Sequence, residues 1–395
     1  MKRKFFTIPN GVTLFSLLLF FPGISFFIFR EKFADPILIG WIGIMIVTAC
    51  RLLDLVDGWL ARRNSEVSEF GKWFDPLVDK IQIYGSLIVL WPTVGPWLFW
   101  LMLARDLAKT VVRSHGACDV AAGKSDKKKA LLQSLALLPL AAGLLHDNSE
   151  LILLGNCLLA GAVGFSSIWL AKYARQNPAN GMSFANFFCG FFAVGFAIEK
   201  LFGLAIFSIF VGAIADNLDG RIARRLGTAD DGFGGLLDDY ADFSNFGVAP
   251  AILAASYSGW SMTGISVGIF YIFATAGRLW HFTANKNRKP DGFFFGLPSP
   301  AGAAIVCAAI LAGWSAEIVL GTTITACGLM VCFPVFWPHF NYLAATRKKS
   351  ELGLLAVCTI TAIVIFNSPL AAPAGMLAVY LLSPFWRRPK FSTAT

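Results

Sequence analysis

Long runs of apolar residues recur along the whole chain and are separated by short polar connections. Only 14% of the 395 residues are charged and 56% are hydrophobic, whereas a soluble domain carries about 25% charged residues. Inside a bilayer every backbone amide must find its partner within the protein, so runs of this length cross the membrane as helices. The sequence therefore predicts an all-α polytopic integral membrane protein.

The predicted spans number about 14, since each long apolar run is sufficient for one helical crossing. In the first part of the chain they cover 11–29, 36–56, 74–92, 95–112, 130–146 and 151–171. In the second part they cover 183–199, 203–223, 236–256, 261–280, 299–314, 317–337, 353–367 and 369–385. The polar stretch at 175–182, with its proline and glycine, marks the boundary between domains predicted at 1–176 and 177–395. The second domain is thus expected to have two more C-terminal spans than the first.

Basic residues are concentrated on every second connection between the predicted spans. Because Lys and Arg are enriched in the cytoplasmic loops of membrane proteins, both chain termini are expected in the cytoplasm. We expect the protein in the inner membrane of a bacterium. The same loop charges account for the net charge of +9, so no nucleic-acid partner is expected.

Two acidic stretches, one in each predicted domain, resemble each other. The first reads D-L-V-D-G-W-L-A-R at 54–62 and, eight residues later, G-K-W-F-D-P-L-V-D at 71–79. The second reads D-N-L-D-G-R-I-A-R at 216–224 and, nine residues later, G-G-L-L-D-D-Y-A-D at 234–242. An even number of predicted spans separates the two stretches, so the halves are expected to be parallel repeats with both stretches on the cytoplasmic side.

Within each stretch the acids recur at helical spacing. In the first stretch, one helix face carries Asp54, Asp57, Gly58, Ala61 and Arg62, and a second helix face carries Gly71, Asp75 and Asp79. Two helices joined by a short loop can therefore direct four carboxylates to one place. Carboxylates without His or Cys suit Mg²⁺ or Mn²⁺ better than zinc. Two such ions about 4 Å apart would stabilise the attacking and leaving oxygens of a phosphoryl displacement.

The pattern D-x2-D-G-x2-A-R-x8-G-x3-D-x3-D resembles the signature of the CDP-alcohol phosphatidyltransferases, and each half resembles one such domain with six spans as its core. The resemblance implies two Mg²⁺ or Mn²⁺ ions per site, held by Asp54, Asp57, Asp75 and Asp79 in the first half and by Asp216, Asp219, Asp238 and Asp242 in the second. It implies that Asp79 and Asp242 act as general bases on an alcohol that attacks CDP-diacylglycerol and releases CMP. It also implies contacts to the CDP-lipid by Gly58, Ala61, Arg62, Gly71, Gly220, Ala223, Arg224 and Gly234.

The first half is similar to phosphatidylglycerophosphate synthases. The similarity rests on I-P-N-x-x-T at 8–13, E-F-G-K-W-F-D-P-L-V-D-K at 69–80, A-R-D-L at 104–107 and K-x-K-A-L-L-Q at 127–133. It implies glycerol 3-phosphate as the acceptor, with its phosphate bound by Arg105, Arg113, Lys127 and Lys129. The chain departs from that pattern at Ser16, Asp126 and Ala130, where these enzymes usually have Arg, Gly and Thr.

The second half is similar to bacterial membrane-type phosphatidylserine synthases. The similarity rests on S-x-x-N-x-x-x-G at 183–190, the acidic pattern at 233–250, G-R-L at 277–279 and F-x-G-L-P-S-P at 294–300. It implies L-serine as the acceptor, with Arg278 binding its carboxylate. Asp239 and His281 replace the usual Ser and Arg.

Three hypotheses about function remain open at this point. The first is a bifunctional phospholipid synthase whose halves both consume CDP-diacylglycerol, embedded in membrane lipid and paired as an intramolecular pseudo-dimer or a homo-oligomer. The second has one active half, with another acceptor such as inositol phosphate, and one structural half. The third, from another class, is a secondary transporter, since internal repeats with buried acids also occur there. Transporter acids lie near the middle of the bilayer, whereas these acids flank basic loops.

Overall fold

A computed structural model describes residues 8–63, 69–114, 124–227, 232–285, 293–331, 335–338, 381 and 383–385. Its α-helices are Ile8–Ile28 (α1), Pro36–Arg63 (α2), Glu69–Val89 (α3), Pro96–Ser114 (α4), Lys124–His146 (α5), Ser149–Gln176 (α6), Pro178–Ile198 (α7), Phe202–Leu226 (α8), Gly232–Asp242 (α9), Ala249–Tyr257 (α10), Met262–Ala284 (α11), Ser299–Leu311 (α12) and Ala316–Val331 (α13). A π-helix covers Phe243–Val248, and short 3₁₀ helices cover Arg30–Lys32, Trp91–Thr93 and Ser383–Phe385. Two strands, Phe293–Phe295 (β1) and Phe336–Pro338 (β2), pair antiparallel. The predicted helical class is therefore correct for the part of the chain that is described.

Seven helical segments among the described residues are long and apolar enough to cross a membrane. They are Asn10–Ile28, Pro36–Leu53, Lys128–His146, Ser149–Gln176, Pro178–Ile198, Phe202–Leu226 and Met262–Ala284. The protein is therefore an integral membrane protein. The expected total of 14 spans stays a prediction, because those at 353–367 and 369–385 fall almost wholly outside the described residues.

The predicted span at 317–337 is wrong at its C-terminal end. Helix α13 stops at Val331, and the chain then forms β2, in which Trp337 pairs with Phe294 of β1. An apolar run looks alike whether it becomes a buried strand or a buried helix, so hydropathy extended the helix too far. The predicted span at 236–256 is helical throughout but changes from α to π after Asp242, a change that apolar periodicity does not reveal.

The chain divides into two compact units. The first comprises Met1–Asp106 and Cys118–Lys172, and the second comprises Leu107–Ala117 and Tyr173–Thr395. The predicted division at residue 176 is a separate statement about sequence domains and stays a prediction.

In the first unit, α1 and α2 approach each other closely at two glycines. A Cβ atom on Gly43 would lie 2.7 Å from the carbonyl oxygen of Gly23 and 2.9 Å from the backbone nitrogen of Phe27. Small residues let membrane helices pack backbone against backbone. The contact brings the N-terminal part of α1 alongside the end of α2 that carries the first acidic stretch.

In the second unit, α7 packs in the same way against the π-helix and α8. A Cβ atom on Gly190 would lie 2.8 Å from the backbone nitrogen of Asn245, and one on Gly212 would overlap the amide of Asn245. Both glycines therefore make room for the segment that directly follows Asp242. This close packing fixes the end of α9 against α7 and α8.

We expect Gly43→Ala to destabilise the protein, because the two atoms closest to the new methyl group are backbone atoms, which cannot move aside as the end of a flexible side chain can. Overpacking of this kind costs about 1–3 kcal/mol, which thermal unfolding of the purified protein in nanodiscs would register as a lower midpoint. Gly164→Ala on α6 is the matched control, since a Cβ there meets no atom within 4 Å. Equal midpoints for the two variants would contradict the close helix contact.

Candidate functional site

Three acids of the second unit come together at the junction of α8 and α9. Asp216, Asp238 and Asp242 each offer a carboxylate oxygen, and these oxygens lie within 4.8 Å of one another. Oδ1 of Asp238 is buried and accepts no hydrogen bond from the described residues. Three carboxylates this close repel one another unless a cation lies between them. An all-oxygen set of this kind fits a hard divalent ion such as Mg²⁺ or Mn²⁺.

Asp219, the fourth predicted acid, is not one of the three acids whose oxygens lie this close, although its charge interacts with all three. It is buried, and its Oδ2 accepts a hydrogen bond of 2.8 Å from the hydroxyl of Ser183 on α7. The structure thus brings three of the four predicted acids together and holds the fourth with a neutral donor. A role for Asp219 as a metal ligand stays a prediction.

Asp242 is held by a chain of amides. Nδ2 of Asn186 on α7 donates to Oδ1 of Asp242 at 3.3 Å, and Nδ2 of Asn245 donates to Oδ1 of Asn186 at 2.8 Å. Asn245 also donates to the backbone carbonyl of Ile209 on α8, at 3.1 Å. Because Asn245 lies in the π-helix, the π turn gives this amide a place between α7 and α8. π turns inside α-helices are frequent at functional sites.

The residues predicted to contact the CDP-lipid flank the same acids. On α8 the guanidinium of Arg224 folds back over Gly220, where a Cβ atom would lie 3.4 Å from Nη1. Ala223 on α8 and Gly234 on α9 are half-buried. These positions lie within two turns of the acids in sequence, and their contacts to a ligand stay predictions.

Arg278 on α11 is buried in the second unit. Its Nη1 donates to Oγ of Ser299 at 2.6 Å, and its positive charge interacts with the carboxylate of Asp242. The guanidinium carbon lies 5.8 Å from the ring centre of Phe294 and 5.9 Å from that of Phe282. Strand β1, which the sequence did not predict, therefore supplies one aromatic wall beside this arginine.

In the first unit, two of the four predicted acids have described side chains. Oδ1 of Asp75 accepts from Oγ1 of Thr13 at 3.1 Å, and Oδ1 of Asp79 forms an ion pair of 2.6 Å with Nη1 of Arg51. The remaining predicted residues of this site lie on α2 and α3, but their side chains fall outside the described part: Asp54, Asp57, Gly58, Ala61, Arg62 and Gly71. Convergence of the four acids stays a prediction here.

Two of the four acceptor cations predicted for the first half of the chain meet at one buried acid. Arg105 and Lys129 both form ion pairs with Asp106, which also accepts a hydrogen bond of 3.0 Å from the hydroxyl of Tyr84. Arg105 donates in addition to the backbone carbonyl of Ser166. Two cations on one carboxylate leave a net positive charge in a fixed geometry, which suits an anionic ligand. Arg113 and Lys127 have side chains outside the described part.

Sequence reasoning missed the donors that hold the acids. The donors whose role was missed are Thr13, Arg51, Ser183, Asn186 and Asn245. Asp106, the acid that accepts from Arg105 and Lys129, was missed as well. One signal for them exists: N-G-V-T at 10–13 recurs as N-G-M-S at 180–183, and the last residue of each donates to an acid. Arg51 has no counterpart in the second half and leaves no such signal.

Comparison with known proteins gives two matches to one family model. The model of the CDP-alcohol phosphatidyltransferases matches residues 6–168 and again residues 176–335. Members of that family use divalent metal ions, which agrees with the oxygen cluster of the second unit.

Individual relatives each match about half of the chain or less. The CDP-diacylglycerol–serine O-phosphatidyltransferase of Helicobacter pylori is 28% identical over 207 residues, covering 50% of this chain and 85% of the relative. The enzyme of the same name from Bacillus subtilis is 32% identical over 173 residues, covering 43% and 94%. The archaetidylserine synthase of Methanothermobacter thermautotrophicus is 27% identical over 167 residues, covering 42% and 71%.

We expect Asp238→Asn to remove tightly bound Mn²⁺ from the second unit, because the substitution takes away a charge and a buried carboxylate oxygen. Loss of an outer-shell group that only orients a ligand already costs about 10–100-fold in metal affinity, so loss of a ligand should cost at least as much. Titration of the purified chain followed by Mn²⁺ electron paramagnetic resonance would measure it. The matched control is Asp239→Asn, whose carboxylate accepts from Thr283 instead. An equal loss in both variants would contradict the assignment of the cluster.

Proposed function

The chain belongs to the CDP-alcohol phosphatidyltransferase family, and we propose that both of its halves transfer a phosphatidyl group from CDP-diacylglycerol to an alcohol. The first half uses glycerol 3-phosphate and the second uses L-serine, and each reaction releases CMP. The observation that carries the proposal is the oxygen cluster of Asp216, Asp238 and Asp242, built from a motif that the chain contains twice.

In the proposed mechanism Asp242 accepts the proton of the serine hydroxyl. The hydroxyl oxygen forms a bond to the β-phosphorus of CDP-diacylglycerol, the bond from that phosphorus to the bridging oxygen breaks, and CMP leaves with the bridging oxygen. Two divalent ions per site, when bound by the acids, would neutralise the charge on the phosphates. Asn186 keeps one oxygen of Asp242 occupied, so the carboxylate has a fixed direction toward the alcohol. Asp79 has the same role in the first half.

Serine as the second acceptor is supported by the surroundings of Arg278. Serine carries a carboxylate but no phosphate, so one guanidinium next to the base is sufficient to bind it. Ser299 and the aromatic side chains of Phe282 and Phe294 hold that guanidinium in place. The relatives from H. pylori and B. subtilis, which are named for serine transfer, match a length that fits one half of this chain.

Glycerol 3-phosphate as the first acceptor is supported by the excess of positive charge around Asp106. A phosphate dianion needs several cationic donors, and Arg105 and Lys129 are held as a pair on one acid. We propose that Arg113 and Lys127 complete this set.

The membrane setting follows from the same proposal. Both sites face the cytoplasm, as do the two termini, and the protein lies in a bacterial inner membrane. At that surface the lipid donor arrives from the bilayer and the polar acceptors arrive from water. The two halves pair as a pseudo-dimer or the chain forms a homo-oligomer, and a crosslink between the halves would test this.

We expect Asp79→Asn to abolish only the reaction with glycerol 3-phosphate and Asp242→Asn only the reaction with serine, because each change removes the base of one site. Release of CMP from CDP-diacylglycerol by the full chain in nanodiscs, with each alcohol added in turn, measures both activities. The double variant serves as the blank. If either single variant lost both activities while remaining folded, independent sites would be excluded.

We expect Lys129→Gln to raise KM for glycerol 3-phosphate by about tenfold, since a hydrogen bond to a charged group contributes about 1.5–3 kcal/mol. The KM for CDP-diacylglycerol should change little. Lys128→Gln on the same helix is the matched control, because Lys128 lies over the ring of Phe165. An unchanged KM for glycerol 3-phosphate in the Lys129 variant would remove this residue from the acceptor site.

A further inference from the structure

The fourth acid of each motif has one oxygen engaged by a donor from an earlier helix of its unit. In the second unit Oδ1 of Asp242 accepts from the amide of Asn186 on α7. In the first unit Oδ1 of Asp79 is bound by the guanidinium of Arg51 on α2. One oxygen of the carboxylate is engaged in both units, but the donor differs in helix and in charge.

The repeat explains why the donor differs. The recurrence of N-G-V-T as N-G-M-S places Ser16 at the position of Asn186, and the offset of the acids places Gln82 at the position of Asn245. Ser16 is too short to do what Asn186 does. Its hydroxyl instead accepts from Nε2 of Gln82 at 3.1 Å, while Oε1 of Gln82 faces Nη1 of Arg51 at 3.5 Å.

Arg51 supplies the hydrogen-bond donor to Asp79 that the short side chain of Ser16 does not supply. The residue at its position in the second unit is Ala213, which has no donor. The side chain of Arg51 is only 5% exposed, and its Nε donates to Oγ of Ser134 on α5 at 3.2 Å. Burying an arginine is costly unless its donors are paired. In Arg51, Nη1 is paired with Asp79 and Nε with Ser134. It is therefore a fixed donor.

Asp79 itself is partly exposed. Its side chain is 32% exposed, so the ion pair occupies Oδ1 without enclosing the carboxylate. A general base must point one oxygen at the proton that it takes, and geometry decides whether it can do so. An arginine that fixes one oxygen of the carboxylate fixes the direction of the other.

We infer that Arg51 is the positioning residue of Asp79 and performs, from α2 and with a guanidinium, the task that the amide of Asn186 performs for Asp242. The inference rests on the proposed function, in which Asp79 is the base of the first site. It also implies that the two sites share their acids but not the groups that orient them.

The test uses the full chain in nanodiscs with Asp242→Asn as the parent, so that only the first site releases CMP. Arg51→Ala should lower kcat with glycerol 3-phosphate by about 10–100-fold, since small misplacement of a catalytic group has effects of this size. KM for both substrates should stay within about threefold, because a base acts on the chemical step. Arg30→Ala, a change of the same type in a surface pair with Glu31, is the control and should keep the parent rate.

A second substitution that restores activity distinguishes a role of Arg51 in positioning Asp79 from a role in stabilising the fold. Ser16→Asn combined with Arg51→Ala copies the residues of the second unit and should restore kcat at least about tenfold over Arg51→Ala alone. Arg51→Gln keeps a hydrogen-bond donor but not the charge, so its kcat should lie between those of the parent and of Arg51→Ala. It replaces Arg51→Ala in the test if the alanine variant does not fold. A folded Arg51→Ala variant with an unchanged kcat, or a combined variant without rescue, would overturn the inference. So would a raised KM for glycerol 3-phosphate at unchanged kcat, because Arg51 would then bind the acceptor.

The Asp242→Asn parent, with Arg51 unchanged, tests the proposed function of the first half by itself. If the Asp242→Asn chain releases no CMP with glycerol 3-phosphate, the function proposed for the first half fails, and the inference fails with it. If the parent is active and the Arg51 variants behave like it, only the inference fails.

Discussion

Mutual repulsion of carboxylates in a setting with little water is the constraint on which the second unit depends. Asp216, Asp238 and Asp242 hold oxygens within 4.8 Å of one another, an arrangement that helix α9 alone cannot maintain. Gly190 on α7 and Gly212 on α8 let the π segment pack closely against both helices and so fix the end of α9, and the amides of Asn186 and Asn245 complete the support. Packing thus supplies the free energy that keeps like charges together until a cation binds.

The acids were predictable because their geometry is local. Positions three, four, seven and eight residues apart share a helix face whatever the rest of the chain does, so the spacing of Asp238 and Asp242 already places them together. Asp219 shows the limit of this reasoning. Its partner, Ser183, comes from a different helix, and nothing in the spacing of the acidic stretch specifies where that helix lies.

The fold, like the acids, was predictable where local sequence decides the structure. Backbone amides in a bilayer must be paired locally, so apolar runs become helices, and the helical class follows from composition. Where a run also pairs with another segment, hydropathy cannot decide, and Phe336–Pro338 became a strand beside β1. The π-helix was hidden for a related reason, because its cause is the fit of Asn245 between two other helices and not the sequence of its own turn.

The contrast between Arg51 and Asn186 shows which parts of such a site are chemically fixed. Phosphoryl transfer needs oxygen ligands and a base, and only carboxylates supply both at this spacing. The group that orients the base needs only to donate a hydrogen bond, and either an amide or a guanidinium can do this. The acids that carry the chemistry therefore recur in both motifs, whereas the residue that orients the base, Arg51 in one half and Asn186 in the other, is free to differ.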